Sequence, residues 1–275
     1  SNSHLANLDC KTVKGEDGTT LSGDMAARIL DIAGLVVNRN TIPGDKTAMN
    51  STGIRFGTPW MTQRGLTEAD MREVADIMAD VLLACKPYSV DTRQGLAQRA
   101  KVDFNVLENA RLRVRALADK AATDLEVGKH GYPHFYYLDE NLEGKQGWSA
   151  LELTGRNIRH FVNYVFSSDV EALQPGQSQN TSLYTPNGFV EGVLTCRAVD
   201  TYQFSLPTDK SGLAATWLRD LSDGYVAFET NPTRRIPGPI LVRDAANDPV
   251  TAASGEAAFA GKPYFIGVSA ASGAA

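Results

Sequence analysis

The chain has 275 residues, a formal net charge of −5 and a sequence pI near 5.4. This acidic balance offers no basic field to attract phosphate backbones or anionic lipid, so neither nucleic acid nor a membrane surface is an expected partner. Its longest apolar runs are only a few residues, far below the about 20 that a bilayer span requires. The length exceeds that of an average single domain, and we therefore expect two domains.

Several features favour a reducing compartment, and we expect a cytoplasmic protein without a metal site. Residues 1–5 have neither the basic nor the apolar region of a signal peptide. The cysteines, Cys10, Cys85 and Cys196, are far apart and never in a C-x-x-C pair, which argues against a disulfide framework and against zinc. The four histidines are scattered without metal-ligand spacing.

The first part of the chain predicts an α/β arrangement. Residues 5–10 alternate weakly between apolar and polar side chains, as in a half-buried strand. A helix is predicted from Ser22, a suitable N-cap, to Gly34, a suitable C-cap. A short strand is then expected at residues 35–37, and strand, helix, strand is the order of an α/β layer.

The next residues predict a loop followed by helices. Residues 38–62 are rich in Gly, Pro, Asn and Thr, so we expect a loop with a short strand around residues 54–56. Thr67 and Asp70 have the spacing of a capping box ahead of an amphipathic helix that stops before Pro87. A second helical stretch, either two helices or one long helix, is predicted from Gln94 to Leu125, because its apolar residues, beginning with Leu96, recur every three or four positions.

A Gly-rich break at residues 128–133 predicts the domain boundary, and the pattern beyond it indicates an α+β domain. Apolar residues now alternate with period two in several segments, and two others have helical character. From about residue 245 small residues dominate, as in a linker. The predicted strands are 150–154, 189–195 and 202–206, and the predicted helices are 156–166 and 210–221.

Three consecutive sequence blocks carry a family resemblance. They are Val37-Asn38-Arg39-Asn40-Thr41-Ile42-Pro43, then Ser51-Thr52-Gly53-Ile54-Arg55-Phe56-Gly57-Thr58-Pro59, then Thr62-Gln63-Arg64-Gly65-Leu66. In order and spacing they resemble the small C-terminal domain of serine hydroxymethyltransferases, which are fold-type I transferases that use pyridoxal phosphate (PLP) and folate. The resemblance covers about residues 1–133.

The resemblance implies roles for two residues. Arg55 matches the arginine that grips the α-carboxylate of serine or glycine, a task suited to a planar guanidinium fork. Asn40 matches an asparagine that contacts folate, although an Asn beside Pro is equally typical of a loop turn that bonds its own backbone. Residues 47–49 depart from the Ser-Pro-Phe of many family members, and the preceding loop is one residue shorter.

The resemblance also implies what this chain does not supply. The family takes its PLP lysine, and the groups around the cofactor, from a large N-terminal domain, which we expect upstream of Ser1. Lys46 is a loop lysine and no replacement for it. We therefore expect the chain alone to be inactive and to anchor no cofactor covalently. Its parent is expected to be a homodimer that uses PLP and tetrahydrofolate.

Residues 134–245 resemble part of the folate-binding aminomethyltransferase of the glycine cleavage system, with residues 246–275 as an Ala-rich linker. In that family an acidic residue before a strand contacts folate, and Glu191 falls at its position. Glu191 is followed by Gly192 where the family has a second Asp, which suggests a degenerate copy. A strand-edge carboxylate facing water is the simpler interpretation of Glu191.

The sequence thus predicts a C-terminal fragment of an enzyme that converts serine and tetrahydrofolate to glycine and methylene-tetrahydrofolate. Two alternatives stay open. One is a folate-binding or scaffold module without chemistry, in which the second domain matters more. The other is a fragment of a related PLP aldolase that shares the carboxylate grip without needing folate.

Overall fold

A computed structural model describes residues 3–93, 95–121 and 146–251 of the chain. The chain divides into two compact units, Ser1–Tyr136 and Tyr137–Ala275. The boundary that we predicted at residues 128–133 lies outside the described residues.

The first unit contains a three-stranded sheet in which the last strand lies in the middle. The strands are β1 (Leu5–Asp9), β2 (Asn38–Asn40) and β3 (Gly53–Gly57), and their order is β1-β3-β2. Because β3 is antiparallel to both neighbours, β1 and β2 run in the same direction. The unit mixes helices and strands as expected, but every ladder of hydrogen bonds in this sheet is antiparallel.

One helix packs on one face of this sheet, and its ends follow the predicted signals. Helix α1 spans Gly23–Ile32, and the Ser22 hydroxyl accepts a hydrogen bond from the Met25 amide at 3.2 Å. Gly34 follows with φ 93°, the left-handed conformation that ends many helices. Both predicted caps are confirmed. The strand predicted at residues 35–37 is wrong, since β2 begins three residues later and Val36 is 74% exposed.

Helix α3 begins at the predicted capping pair. A short helix, α2 (Pro59–Gln63), precedes α3 (Glu68–Leu83). The Asp70 carboxylate accepts hydrogen bonds from the backbone amide of Thr67 at 2.7 Å and from its hydroxyl at 2.8 Å. These bonds fix the first turn of α3 where the Thr67 and Asp70 spacing predicted it.

The helical stretch predicted over Gln94–Leu125 is wrong in its first third. A hairpin of β4 (Lys86–Thr92) and β5 (Gly95–Lys101) precedes helix α4 (Phe104–Lys120). Gly95 adopts φ 105° at the turn, a conformation that glycine favours. Asp103 caps α4 by accepting hydrogen bonds from the amides of Asn105 and Val106. Leu96, which we assigned to an apolar helix face, is instead 74% exposed on β5.

Helices α3 and α4 are joined by ion pairs. Arg113 on α4 contacts Glu73 at 2.6 Å and Asp80 at 2.7 Å, both on α3. Lys120, at the end of α4, contacts Asp70 at 2.5 Å. The hydrogen bond from Lys120, followed by those from Thr67, lowers the pKa of the Asp70 carboxyl to about 2. The pairs fix the register of the two helices.

The second unit is built on a five-stranded antiparallel sheet with the order β10-β6-β9-β8-β7. Its strands are β6 (Trp148–Thr154), β7 (Ser178–Thr185), β8 (Gly188–Ala198), β9 (Thr201–Pro207) and β10 (Leu241–Asp244), and its helices are α5 (Ile158–Val165) and α6 (Ser211–Asp223). The three predicted strands and both predicted helices are present. The edge strands β7 and β10 were not predicted.

Two residues within the predicted linker form hydrogen bonds to the sheet of the second unit. The Gln203 side-chain amide donates to the Asp248 carbonyl at 2.9 Å, and the Val250 amide donates to the Ser205 hydroxyl at 2.9 Å. The predicted linker starts at residue 246, so its first described residues are part of the folded unit. Residues 252–275 lie outside the described residues. Among the described helices, none is long and apolar enough to cross a membrane.

Candidate carboxylate-binding face

Arg55 lies on the central strand β3, on the face of the sheet opposite α1. Side chains alternate between the two faces of a strand. Ile54 is fully buried, and Arg39, which pairs with Ile54 across the sheet, contacts Asp24 of α1 at 3.2 Å. Ile54 therefore marks the α1 face, and Arg55 points to the other one, which we call the open face. Arg55 is half-buried there, and its side chain has no hydrogen bond or ion pair to any described residue.

The structure brings Asn40 to the same open face as Arg55. Asn40 pairs with Gly53, two residues before Arg55 on β3, so it occupies the row next to Arg55. Its side-chain nitrogen donates to the backbone carbonyl of Thr41 at 3.2 Å. This bond to the backbone of the next residue agrees with the interpretation of Asn40 as a loop-turn residue. The position of Asn40 beside Arg55 is compatible with the predicted folate contact, which stays a prediction.

Gly53 lets the chain after β2 approach β3 closely. A Cβ atom at this position would collide with the Cγ2 methyl of Ile42 and would lie 3.1 Å from the Asn40 carbonyl and 3.2 Å from the Leu8 carbonyl. Both carbonyls belong to strands that flank β3. The glycine of the Gly-Ile-Arg block therefore allows the tight packing that places Arg55 between β1 and β2.

Asp45 organises the loop that joins β2 to β3, and sequence reasoning missed it. One carboxylate oxygen accepts hydrogen bonds from the amides of Ile42 at 3.0 Å and Thr52 at 2.9 Å. The other accepts from the Thr52 hydroxyl at 2.5 Å. The Thr52 hydroxyl, followed by the backbone amides, lowers the pKa of the Asp45 carboxyl. Asp within a Gly- and Pro-rich loop is a signal for such side-chain to backbone bonds. The adjacent Lys46 is exposed.

We expect Asp45→Asn to reduce the acid sensitivity of the first unit. A carboxylate with a lowered folded-state pKa stabilises the protein above its unfolded-state value of 3.8 and loses that contribution as pH falls through the folded-state value. The amide cannot titrate and replaces one acceptor with a donor. Free energies of unfolding measured from about pH 6 to about pH 2 should converge for the two proteins at the acid end. A constant difference across that range would contradict the assignment.

The thiols of the first unit are unsuited to nucleophilic chemistry. Burial, with Asp9 adding to it, raises the pKa of Cys10 to about 11, and burial raises the pKa of Cys85 to about 12. Both groups are therefore protonated at neutral pH. The described residues also contain no cluster of His, Cys, Asp or Glu that could hold a metal ion.

The described lysines of the first unit do not fit the covalent anchoring of PLP. Such a lysine needs a partly desolvated position that a bound cofactor can still reach. Lys101 is 1% exposed and closed to a ligand, while Lys14, Lys46 and Lys86 are exposed. Lys11 and Lys120 lie beside Asp9 and Asp70.

Glu191 lies inside β8, not before a strand as the predicted folate contact requires. It is exposed and pairs with Ser182 of β7. Phe189, two residues away on the same face, is 62% exposed and pairs with Tyr184. β8 lies between β9 and β7, so Glu191 is not on an edge strand. The carboxylate and the two aromatic side chains thus share one face of the sheet.

Comparison with known proteins places a similarity on the segment that carries Arg55. Residues 2–78 match the sequence model of the family described as serine hydroxymethyltransferase. A putative mitochondrial serine hydroxymethyltransferase of Neurospora crassa is 44% identical over 78 residues, which cover 28% of this chain and 13% of that protein. A serine hydroxymethyltransferase of Bombyx mori is 44% identical over 75 residues, covering 27% of this chain and 15% of that protein.

A cytosolic serine hydroxymethyltransferase of Aspergillus fumigatus is 38% identical over 91 residues, covering 33% of this chain and 18% of that protein. The chain thus spans less than one fifth of the length of these relatives. Among solved structures, the glycine cleavage aminomethyltransferase T of Bartonella henselae matches with 18% identity and a TM-score of 0.25, covering 26% of this chain and 20% of that one. That score does not establish a common fold. Residues 2–78, with Arg55 among them, are therefore similar to serine hydroxymethyltransferases.

Proposed function

We propose that the first unit is the carboxylate-binding portion of a serine hydroxymethyltransferase, and that Arg55 binds the α-carboxylate of serine or glycine. The observation that carries this proposal is the position of Arg55. It lies on the middle strand of the sheet, half-buried on the open face, without a carboxylate partner among the described residues. The segment around it is the one that matches the family.

The chemistry expected of Arg55 is capture and orientation. A guanidinium presents parallel N–H donors that hold both oxygens of a carboxylate, which fixes the direction of the Cα substituents. Partial burial strengthens this contact, because fewer water molecules compete for the donors. Flanking strands on both sides of β3 limit the movement of the arginine backbone. The proposed role of Asn40, one row away, is a polar contact to the folate substrate.

The rest of the catalytic machinery belongs, in this proposal, to other parts of a parent protein. PLP and its lysine would come from a large N-terminal domain, tetrahydrofolate would be the second substrate, and the parent would be a cytoplasmic homodimer. The names of the relatives include both cytosolic and mitochondrial proteins. Because the proposal assigns the PLP lysine to that other domain, the 275-residue chain is expected to be inactive by itself.

We predict that Arg55→Gln in the intact parent protein lowers kcat/KM for serine by about 100-fold, because a charge-assisted bidentate contact to the carboxylate is lost. Arg55→Lys should recover part of this loss, since it keeps the charge but not the fork. Steady-state kinetics with varied serine at saturating tetrahydrofolate measure both effects.

Arg39→Gln provides the matched control. Arg39 lies on the adjacent strand but on the α1 face, where it contacts Asp24. Its kinetic constants should match those of the unsubstituted protein. A kcat/KM for serine that is equally low in both variants would indicate a folding defect, and an unchanged value in Arg55→Gln would refute the carboxylate role.

A second candidate function is a non-catalytic folate-binding module centred on the second unit. The observation that favours it is the shared face of Glu191, Phe189 and Tyr184, because folate presents a flat ring with N–H donors to an aromatic and carboxylate surface. Calorimetry of the 275-residue chain with tetrahydrofolate separates the two candidates. Tight binding of tetrahydrofolate that Glu191→Gln abolishes would support the folate-binding module. Absence of binding would favour the hydroxymethyltransferase proposal.

The related PLP aldolase differs from the first proposal only in its second substrate. It would share the carboxylate contact of Arg55 but would cleave small β-hydroxy amino acids without folate. Activity of the intact parent measured with and without tetrahydrofolate discriminates between them, since only the hydroxymethyltransferase depends on the folate acceptor.

A further inference from the structure

Arg55 is flanked on both sides by asparagines. In the register of the sheet, Asn7 of β1 and Asn38 of β2 both pair with Arg55 of β3. Directly paired residues point to the same face, with Cβ atoms about 5 Å apart. The three side chains therefore form a row across the open face. Neither asparagine side chain has a hydrogen bond or ion pair to a described residue, and both residues are exposed.

The two asparagines of this row are residues that β-strands disfavour. Asn is depleted in strands, where β-branched and aromatic residues are favoured. Two asparagines in one row of a three-stranded sheet therefore lower its intrinsic stability. Positions that break a local rule without a structural partner are typical of functional sites. On the opposite face, Ile54 pairs with Leu8 and with Arg39, whose guanidinium contacts Asp24.

The charges on the open face match a small monoanion. Arg55 supplies one positive charge, and Arg39, the other arginine of the sheet, faces α1 and contacts Asp24. Asp9 shares the open face one row away and contacts Lys11 at 3.5 Å. A single guanidinium neutralises a carboxylate, while a phosphate dianion would keep an unmatched charge.

We propose that Asn7 and Asn38 bind the same ligand as Arg55, and that the row selects a carboxylate with a hydrogen-bonding substituent on its α-carbon, an α-amino or α-hydroxy acid. The inference rests on the proposed carboxylate role of Arg55. Each amide offers two donors and a carbonyl acceptor. The guanidinium and the amide donors take the carboxylate, and an amide carbonyl accepts from the ammonium or hydroxyl group at the α-carbon.

The test compares glycolate with acetate, which carry the same charge and differ in the α-hydroxyl group. NMR titration of the full 275-residue chain follows the Nε–Hε signal of Arg55. We expect glycolate to bind about 3-fold to 10-fold more tightly than acetate, as one added hydrogen bond predicts. In the Asn7→Leu, Asn38→Leu double variant this preference should fall to about 1-fold, with acetate still bound.

Three further measurements make the outcomes distinct. Asn38→Asp should weaken both acids, because it places a like charge beside their carboxylate, whereas Asn109→Asp adds the same charge on α4 and should not. Arg55→Gln, in which the backbone amide signals of Asn7 and Asn38 replace the missing Arg55 signal as the readout, should abolish binding of both acids. If it does while the double variant keeps the preference for glycolate, the role of the asparagines is refuted and that of Arg55 stands. If Arg55→Gln binds both acids normally, or the unsubstituted chain binds neither, both proposals fail.

Discussion

Arg111→Met is expected to destabilise the first unit by about 2 to 3 kcal/mol, because it removes a buried guanidinium that donates to a helix-terminal carbonyl and to a partly buried carboxylate. Arg111 on α4 is 1% exposed. Its Nε donates to the Ile32 carbonyl at 3.0 Å, and its Nη1 contacts Glu108 at 2.7 Å. Ile32 is the last residue of α1, where carbonyl groups lack intrahelical partners and a positive charge is favourable.

The methionine would fill much of the space but leave the Ile32 carbonyl and the Glu108 carboxylate without this donor. Chemical denaturation should therefore show the loss directly. Arg115→Met is the matched control, since Arg115 lies one turn later on α4 and pairs with Asp119 on the surface. That pair should contribute less than about 1 kcal/mol. Equal losses in the two variants would contradict the assignment.

A double variant sharpens the interpretation of Arg111. Replacing Glu108 with Leu in the Arg111→Met background removes the stranded carboxylate as well. If part of the cost comes from the partly buried Glu108 carboxylate left without its partner, part of the stability should return in the double variant. The Ile32 carbonyl would still lack its donor, so full recovery is not expected.

Gly23→Ala is expected to destabilise the same unit by about 3 kcal/mol, at the upper end of the usual range for overpacking. A Cβ at Gly23 would collide with the Gly53 carbonyl oxygen and lie 3.1 Å from the Ser51 carbonyl. Both are backbone atoms and cannot rotate away. Helix propensity alone favours Ala over Gly by about 1 kcal/mol, so the two effects oppose each other and the collision dominates.

Ala27→Gly in the same helix calibrates the propensity effect and should cost about 1 kcal/mol. Gly23→Ala should cost more and should also weaken glycolate binding, because α1 can relieve the collision only by moving away from β3. Denaturation and the NMR titration measure the two consequences. A stabilised Gly23→Ala protein would show that the contact between α1 and β3 is looser than the structure indicates.

Local signals in the sequence identified those elements whose ends are set by neighbouring side chains. Ser22 and Gly34 bounded α1, and Thr67 with Asp70 opened α3, because each of these bonds joins residues a few positions apart. The helix predicted over Gln94–Leu125 failed for the opposite reason. Its first apolar positions suit a helix by spacing, but pairing with residues 86–92 makes them a strand, and no local pattern specifies that pairing.

The site shows the same division. The Gly-Ile-Arg block singled out Arg55, and its place on the central strand is consistent with a ligand contact. Asn7 was not singled out, because it lies 48 positions before Arg55 and only the sheet register brings them together. Asp45 was passed over because its three hydrogen bonds depend on the path of the loop. Glu191 was expected before a strand and lies within one.

The Arg111 contact also shows that the segment matched by the family model is shorter than the segment that folds as one unit. The match to the serine hydroxymethyltransferase family model ends at residue 78, inside α3, while the residue that holds the end of α1 comes from α4. A piece cut at residue 78 would split a helix and expose the apolar sides of α1 and α3. A graft or truncation of this module should therefore keep residues 79–121. The amino acids of this segment can vary only if they continue to cover the apolar sides of α1 and α3.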